Sequence, residues 1–496
     1  MPRHQIETAK NKSKFAEAIM KTGGIAPARI LCVDGVGGSD TLGHLYFRTL
    51  TAAKNEATTG DTIIVYPGTY EENDLLKDGV NWHFMAGALV TYTNDGSALT
   101  YGIFDDRTTG AVTCAITGDG DFHYGCEVKN YGTDADPVAT PTNNTTTKGM
   151  LTITEAESDV TFTCRNVTLA SPGYIFAFYI GDGTVSINFN DVLDTRYDTS
   201  TFLGNDSAED PVNATSSANG LKWLYGECYI KGNRIKVCEY AVDAEQEAGH
   251  AGTDNLWMEV GRLHNKGTNS SCVYIWGAGT SAAWKTWITV DEIISDSAAF
   301  SGYAGIADGR HYLFASKVSA PDAIALADCD GLYWITCQKI TGTSTTALTW
   351  KGANVALTST FGGAAYFNVM LIETAASAGD PRSALLVDGG TLHLGPCVIT
   401  QADGVGVTHA GGTANLNGVR IDTSATNTAT NRPVVVSDAG LRLNGCTLIC
   451  PAACLESIYA ATAKTIKVYG QTFAAVAKHA NVTVQVGTLT IDANVT

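Results

Sequence analysis

The residues Leu416-Asn-Gly-Val-Arg-Ile421 recur almost unchanged as Leu443-Asn-Gly-Cys-Thr-Leu448. In each copy an apolar residue is followed five positions later by a second one, across a bend that contains glycine. Side chains alternate between the two faces of a β-strand, and a bend shifts the alternation so that the second apolar residue faces inward again. The motif therefore predicts one corner of a coil whose apolar side chains share an interior.

The same spacing occurs in twelve residue pairs along the chain. We call the first member of each pair an anchor; successive anchors lie 22 to 32 residues apart, with one gap of 43. The period of about 3.6 residues that helical repeats require is missing. We therefore predict an all-β chain that forms a right-handed parallel β-helix, a solenoid over residues 27–480. The pairs are Phe162/Val167, Ile187/Val192, Ile230/Ile235, Met258/Leu263, Ile288/Ile293, Leu313/Val318, Ile335/Ile340, Phe367/Ile372, Leu394/Ile399, Leu416/Ile421, Leu443/Leu448 and Val468/Phe473.

The N-terminal part contains the start of such a stack. Arg29–Asp34 is predicted to be a strand and Tyr46–Ala57 a short helix that covers the open end of the coils. The stretch Gly60-Asp-Thr-Ile-Ile-Val-Tyr-Pro-Gly-Thr-Tyr70 follows, with a β-branched run before a Pro-Gly turn. This stretch resembles the first coil of pectin-lyase-like β-helix proteins, which include many phage tailspikes and tail fibres. The resemblance implies the β-helix fold and a role in a virion.

The remaining segments differ in composition from the repeat. Residues 1–26 are basic and are predicted to be an attachment arm that contacts other virion proteins. Polar inserts are predicted as side loops at 133–149, 195–220 and 241–253. Residues 481–496 alternate apolar and polar side chains and are predicted to be closing strands.

Composition excludes several classes of function. The 496 residues include 50 acidic and 32 basic ones, and the net charge of −18 disfavours binding to nucleic acid. No apolar run approaches the roughly 18 residues of a membrane span, so no membrane insertion is expected. The thirteen cysteines lack metal-finger spacing, which predicts small buried residues of a protein made in a reducing cytosol. Since Met1–Lys21 lacks the apolar run of a signal peptide, secretion is not expected.

The outward rows contain little that predicts catalysis. Asp308 and Asp330 are the one pair of carboxylates on adjacent coils, but each precedes a glycine, which is typical of a turn. Glu292 lies among cations in the row four positions after the anchors, where Arg234, Arg262, Lys317 and Lys339 could serve a lyase. Asp119 and Asp121 could bind calcium, although a solvated loop is the simpler interpretation. No cofactor or metal site is predicted.

One outward row is aromatic in six consecutive coils. The residue just before the anchor should face outward, and such a row, roughly 25 Å long, has three interpretations. It could be buried between chains of a homo-oligomer, it could stack on an extended glycan, or the assignment of inside and outside could be wrong. The residues of this row are Tyr229, Trp257, Trp287, Tyr312, Trp334 and Tyr366.

These observations lead to one expected function and two alternatives. We expect a structural virion appendage of the tail-fibre or tailspike type, a homotrimer assembled in the host cytoplasm, which attaches to the host surface and possesses no evident catalytic pair. The first alternative is a lyase or hydrolase that degrades host surface polysaccharide. The second is a head-decoration or baseplate component that binds no ligand.

Overall fold

A computed structural model describes residues 28–39, 45–94, 102–107, 109–126, 149–170, 175–195, 218–246, 254–266, 271–277, 284–296, 298–302, 309–329, 331–343, 348–352, 363–374, 383–469, 472–474 and 478–485. The chain divides into two compact units, Met1–Asn233 and Arg234–Thr496. The β-helix domain predicted over 27–480 covers parts of both units. The predicted basic arm, residues 1–26, lies outside the described residues.

The first unit is almost entirely β-structure. Its described strands, β1–β15 in chain order, are Ile30–Val33, Tyr46–Phe47, Thr62–Val65, Gly68–Glu71, Asn81–Phe84, Ala88–Asn94, Phe104–Asp105, Thr113–Gly118, Asp121–Cys126, Gly149–Ile153, Asp159–Thr163, Asn166–Ala170, Ile175–Ile180, Thr184–Asp194 and Ala218–Trp223. Every pairing between them is parallel. The strands form three ladders, one through β1, β3, β5, β8, β11 and β14, a second through β4, β6, β9, β12 and β14, and a third through β7, β10, β13 and β15.

The described part of this unit contains one helix, which is shorter than predicted. Helix α1 spans Leu50–Glu56 and is capped by Thr49, whose hydroxyl accepts the backbone N–H of Ala52. Tyr46, predicted to be helical, instead lies in β2 and pairs with β1, and its hydroxyl donates to Asp34 Oδ2 at 2.7 Å. This strand pairing and hydrogen bond hold Tyr46 outside the helix.

The second unit has the same architecture. Strand β16, Glu227–Val237, spans the boundary, and β17–β37 are Val242–Gln246, Asn255–Asn265, Ser271–Gly277, Lys285–Ser295, Ala298–Gly302, Arg310–Ala320, Asp322–Cys329, Leu332–Gly342, Leu348–Gly352, Ala364–Thr374, Ser383–Leu394, Val398–Gln401, Val405–Asn417, Arg420–Asp422, Val434–Val436, Leu441–Asn444, Thr447–Ile449, Ile458–Tyr459, Lys464–Tyr469, Phe473–Ala474 and Val482–Gln485. All the pairings of β17–β37 are parallel, and each joins a strand to one from the next repeat. Nearly all-β parallel ladders of this kind are consistent with a β-helix.

The anchors of the second unit lie in register with one another. Met258 pairs with Ile288, and the pairing continues in order through the anchors as far as Val468. All of them are at most 3% exposed, so they form an interior column. The second members follow the same order up to Leu448, which pairs with Ala474 rather than with the predicted Phe473. That last corner contains one residue more than the others, which shifts the pairing by one position.

The predicted inserts agree with the structure only in part. Residues 133–148 and 196–217 lie outside the described residues, and strands begin at Gly149 and at Ala218. Within the third segment, predicted as a side loop, β17 occupies Val242–Gln246 and pairs with β19. Val242 and Ala244 are buried, and this burial makes the segment a strand. Of the predicted closing strands, β37 pairs in parallel with β35, and residues 486–496 are not described.

The eleven cysteines whose side chains are described are all buried, which confirms the interior role predicted for them, and none of them forms a disulfide. Their burial raises the pKa of thiols such as Cys114, to about 12, and Cys397, also to about 12. In the described part of the chain, no helix has the length and apolar character needed to cross a membrane.

Candidate functional site

The aromatic row lies on the outer surface of the second unit. Each ring precedes a buried anchor by one residue, and alternation along the strand turns the ring away from the interior. Tyr366 is 40% exposed, and the other rings of the row in this unit are half-buried. The structure adds His393, one coil beyond Tyr366, which the sequence analysis did not include. The rings in this unit, which we call the aromatic ladder, are Trp257, Trp287, Tyr312, Trp334, Tyr366 and His393.

The rings of the aromatic ladder stack face to face. Their neighbouring centroids are separated, in chain order, by 4.9, 5.4, 4.7, 5.7 and 4.7 Å. The angle between neighbouring ring planes ranges from 1° to 10°. Near-parallel rings at these distances overlap with an offset, and each such pair contributes roughly 0.5–1.5 kcal/mol beyond its buried area. Because adjacent strands lie about 4.8 Å apart, this stacking continues the spacing of the backbone ladder.

The stacking decides which part of each ring is available to a partner. The faces of the four inner rings are covered by the neighbouring rings, so the edges point outward. A sugar stacks on an aromatic face, and within the ladder only the two end rings have a face that is not covered by another ladder ring. The ladder therefore presents C–H edges with interspersed indole N–H and phenol O–H groups, a surface that suits burial against another protein chain.

Two exposed apolar side chains lie on strands that carry ladder rings. Phe314, two residues after Tyr312 on the same strand, is 43% exposed, and Met370 is 69% exposed. Lys285 Nζ lies 6.0 Å from the ring centroid of Trp287. Tyr229, the predicted first member of the row, belongs to the first unit, where it is 43% exposed and donates to Glu227 Oε2 at 3.4 Å.

The predicted cation row is largely ion-paired. Lys317 Nζ lies 2.9 Å from Glu292 Oε1, and Arg262 Nε lies 3.9 Å from Glu292 Oε2. The hydrogen bond from Lys317 is the largest influence on the pKa of Glu292, which lies below its ordinary value. Lys339 Nζ lies 2.7 Å from Glu373 Oε1. These contacts pair three of the four cations that a lyase would direct at a uronate, and two of the three share the single negative charge of Glu292.

The carboxylates singled out in the sequence do not form a site in the described structure. Asp308 and Asp330 lie outside the described residues. Asp121 accepts hydrogen bonds from Arg165 and from Asn166, so an arginine occupies the position that a calcium ion would need. Among the described residues, no group of three or more His, Cys, Asp or Glu side chains could hold a metal ion.

A polar cleft in the second unit was missed by the sequence analysis. Glu373 pairs in register with Thr400, and Thr400 with Asp422, so the two carboxylates lie two coils apart in one row. This row follows the anchors by six positions, whereas the predicted cation row follows them by four. The cavity volume is about 480 Å³. The residues that line this carboxylate cleft are Glu373, Thr374, Thr400, Gln401, Ala402, Asp422, Ser424 and Ala425.

Each carboxylate of the cleft has a cationic partner. Glu373 Oε1 faces Lys339 and accepts a hydrogen bond from Thr341 at 3.1 Å. Asp422 accepts hydrogen bonds from Arg420 Nη2 at 3.0 Å and from Ser424 Oγ at 2.6 Å. Burial opposes the ionisation of Asp422, but the hydrogen bonds from Ser424 and Arg420 outweigh it and hold the pKa below its ordinary value.

No protein-family model, curated protein or solved structure matches this chain.

Proposed function

We propose that this chain is a structural virion appendage, a right-handed parallel β-helix of the tail-fibre or tailspike type that forms a homotrimer and attaches a phage to its host surface. The observation that carries the proposal is the aromatic ladder, six stacked rings whose edges remain on the surface. Exposed apolar surface of this extent usually marks an interface.

The composition of the ladder surface suits a protein interface. A stable interface buries about 800 Å² on each partner, and the ladder contributes the outward edges of its rings, which leave 40% of Tyr366 exposed. The half-buried rings, with Phe314 two residues from Tyr312, supply an apolar centre, and the exposed polar residues Glu259 and Asn368 each follow a ladder ring by two positions. An apolar centre with a polar rim is the usual anatomy of such contacts.

The N-terminal coil supports the virion part of the proposal. The resemblance to phage tailspikes rests on Gly60–Tyr70, and this stretch forms β3 and β4, with Pro67 at the corner between them. Helix α1 packs before it with Leu50 and Ala53 buried, as expected for a segment that covers the end of a coil stack.

Analytical ultracentrifugation tests the oligomeric state. The wild-type chain is expected to sediment as a trimer, and the combined change Trp257→Ser, Trp287→Ser and Trp334→Ser is expected to give a folded monomer. The matched control is Leu455→Ser with Tyr469→Ser, two exposed apolar positions outside the ladder, and it should remain trimeric. A monomeric wild type, or a trimer that survives loss of the three tryptophans, would overturn the proposed interface.

A polysaccharide lyase or hydrolase remains the second candidate function. It is weakened by the ion pairs in the cation row, because a lyase needs cations to neutralise a uronate. Incubation with purified capsule or lipopolysaccharide from the host separates the two. Binding without new reducing ends or unsaturated uronates is expected of an attachment protein, whereas turnover that Asp308→Asn or Asp330→Asn abolishes would make that pair catalytic. Neither binding nor turnover would favour a head-decoration or baseplate component.

A further inference from the structure

The turn between β33 and β34 brings two cysteine thiols together. Cys450 directly follows β33, and the turn is closed by the backbone N–H of Cys454, which donates to the carbonyl of Pro451 at 3.0 Å. A hydrogen bond joins the Cys454 thiol to the sulfur of Cys450. Thiols that are already in contact and are joined by a short turn need little backbone movement to reach the geometry of a disulfide. The two cysteines therefore form a pair and are not two separate interior residues.

Cys450 has the surroundings of a nucleophile. Besides the contact with Cys454, its sulfur lies 3.6 Å from the hydroxyl oxygen of Ser457. The hydrogen bonds from Cys454 and Ser457 outweigh burial and lower the pKa of the Cys450 thiol to about 7. Because the thiolate is the reactive form of cysteine, a large fraction of Cys450 is reactive at neutral pH.

The other cysteines differ from Cys450 in exposure and in pKa. Cys450 is 9% exposed, the largest value among the eleven cysteines whose side chains are described. Burial raises the pKa of thiols such as Cys397 and Cys446. The sulfur of Cys446, four residues before Cys450, lies 3.3 Å from the backbone oxygen of Leu416 and is buried there. Since reactive cysteines are partly accessible and have a low pKa, a dissolved reagent should reach Cys450 before the other described cysteines.

A guanidinium group lies next to the second thiol. Arg432 is close enough to favour the thiolate of Cys454. It is held in place by Glu456, whose Oε2 is 3.7 Å from Arg432 Nε, and by the ring of Tyr459, whose centroid is 3.9 Å from Arg432 Cζ. The hydrogen bond to Cys450 is the largest influence on the pKa of Cys454 and raises it. Once the charge on Cys450 is removed by reaction, that influence ends, and Arg432 assists the ionisation of Cys454.

We propose that Cys450 and Cys454 are a redox-active dithiol, a modification site that closes to an intrachain disulfide by exchange with a low-molecular-weight disulfide such as oxidised glutathione. The Cys450 thiolate attacks one sulfur of the glutathione disulfide, whose S–S bond breaks as one glutathione thiolate leaves. Cys454 then loses its proton to water and attacks the Cys450 sulfur, and the second glutathione thiolate leaves. The dithiol is oxidised by two electrons, and the glutathione disulfide is reduced to two thiols, which take up the two protons.

The redox state of the surroundings decides which form is present. A glutathione pool that is mostly reduced keeps such a pair as thiols, whereas a medium rich in disulfides closes it. The two thiols and the groups around them belong to one unit of one chain. The inference therefore does not rest on the proposed trimer or on a role in a virion, and either can fail without the other.

Mass spectrometry of the full chain after exposure to glutathione tests the proposal. The native protein is equilibrated with reduced or with oxidised glutathione, precipitated with acid, denatured and alkylated with N-ethylmaleimide. Trypsin then releases residues 443–464, a peptide that contains Cys446, Cys450 and Cys454. In reduced glutathione we expect all three thiols to be alkylated. In oxidised glutathione we expect one alkylated thiol, located at Cys446 by fragmentation, while the other described cysteines remain alkylated.

Three variants separate the roles of the two thiols. Cys454→Ser keeps the nucleophile and removes the second thiol, so it should accumulate a mixed disulfide of Cys450 with glutathione, at least about tenfold faster than any cysteine with a raised pKa. Cys450→Ser should form neither the mixed nor the intrachain disulfide. Cys446→Ala, the matched control, should form the intrachain disulfide at the rate of the wild type.

The wild-type peptide decides the outcome by itself if a variant fails to fold. Three alkylated thiols after exposure to oxidised glutathione would overturn the inference, and so would a disulfide that includes Cys446. Glutathione attached to Cys454 in Cys450→Ser, as fast as it attaches to Cys450 in Cys454→Ser, would refute the assignment of Cys450 as the nucleophile.

Discussion

Replacement of Leu416 by aspartate tests the interior register most directly. Leu416 is 0% exposed and pairs in register with Leu394 and Leu443, both also 0% exposed. Loss of a buried leucine side chain costs about 2–5 kcal/mol. A carboxyl without a partner in this column stays protonated at pH 7. Because pH 7 is about three units above the ordinary pKa of aspartate, keeping the carboxyl protonated adds roughly 4 kcal/mol to the loss of stability. The sum, about 6–9 kcal/mol, is comparable to the whole stability of a domain, roughly 5–15 kcal/mol.

The neighbouring position provides the matched control. Asn417 is exposed, and its Oδ1 accepts a hydrogen bond from Asn444 Nδ2 at 3.3 Å. Asn417→Asp keeps that acceptor, so we expect a change within about 0.5 kcal/mol. A second control, Leu416→Asn, has the same size as the aspartate but carries no charge, so the difference between the two isolates the cost of ionisation.

Guanidinium unfolding followed by circular dichroism, at several pH values, measures these effects. The folded-state pKa of the new aspartate is raised, so its penalty relative to Leu416→Asn should be absent below about pH 4 and should grow by about 1.4 kcal/mol for each pH unit above it. Similar unfolding midpoints for Leu416→Asp and Asn417→Asp at pH 7, or a gap between the aspartate and asparagine variants that does not depend on pH, would refute the assignment of Leu416 to the interior column.

Two further predictions concern the second unit. His311 is buried between Trp284 and Tyr333, and burial lowers its pKa to about 3, so the unfolded chain takes up a proton below about pH 6.5 that the folded chain does not. The free energy of unfolding should therefore fall as the pH is lowered from about 6.5 to about 3, and it should fall less in His311→Gln. If the two proteins lose stability equally over this interval, His311 is not the buried neutral histidine inferred here. Gly412 and Gly418 both have positive φ, but a Cβ at Gly412 would lie 2.4 Å from the Gly389 carbonyl carbon, whereas at Gly418 the nearest atom is 3.5 Å away. We expect Gly412→Ala to lower the melting temperature much more than Gly418→Ala, because Gly418→Ala adds only backbone strain of about 1 kcal/mol. Equal losses would show that the backbone of Gly389 does not lie against Gly412.

The amino-acid sequence by itself determined the local repeat. The alternation along each strand and the polar or glycine-containing bend at each corner are properties of a few consecutive residues, and they correctly placed anchors such as Leu416 in register with those of the next coils. The same local information failed where contacts distant in the sequence prevail. Tyr46 was predicted to be helical and Val242–Gln246 a loop, yet both lie in strands because they pair with partners elsewhere in the chain.

Only the tertiary structure decided what the outward rows can do. The sequence placed the aromatic residues in one row, but whether their faces or their edges point outward depends on side-chain orientation across successive coils. The carboxylate cleft was missed because Glu373 and Asp422 are 49 residues apart in the sequence and meet through two coil spacings and a corner. The strand period fixes which side of a strand a residue faces, whereas its neighbours on that side are set by coil length and corner geometry, which no short segment contains.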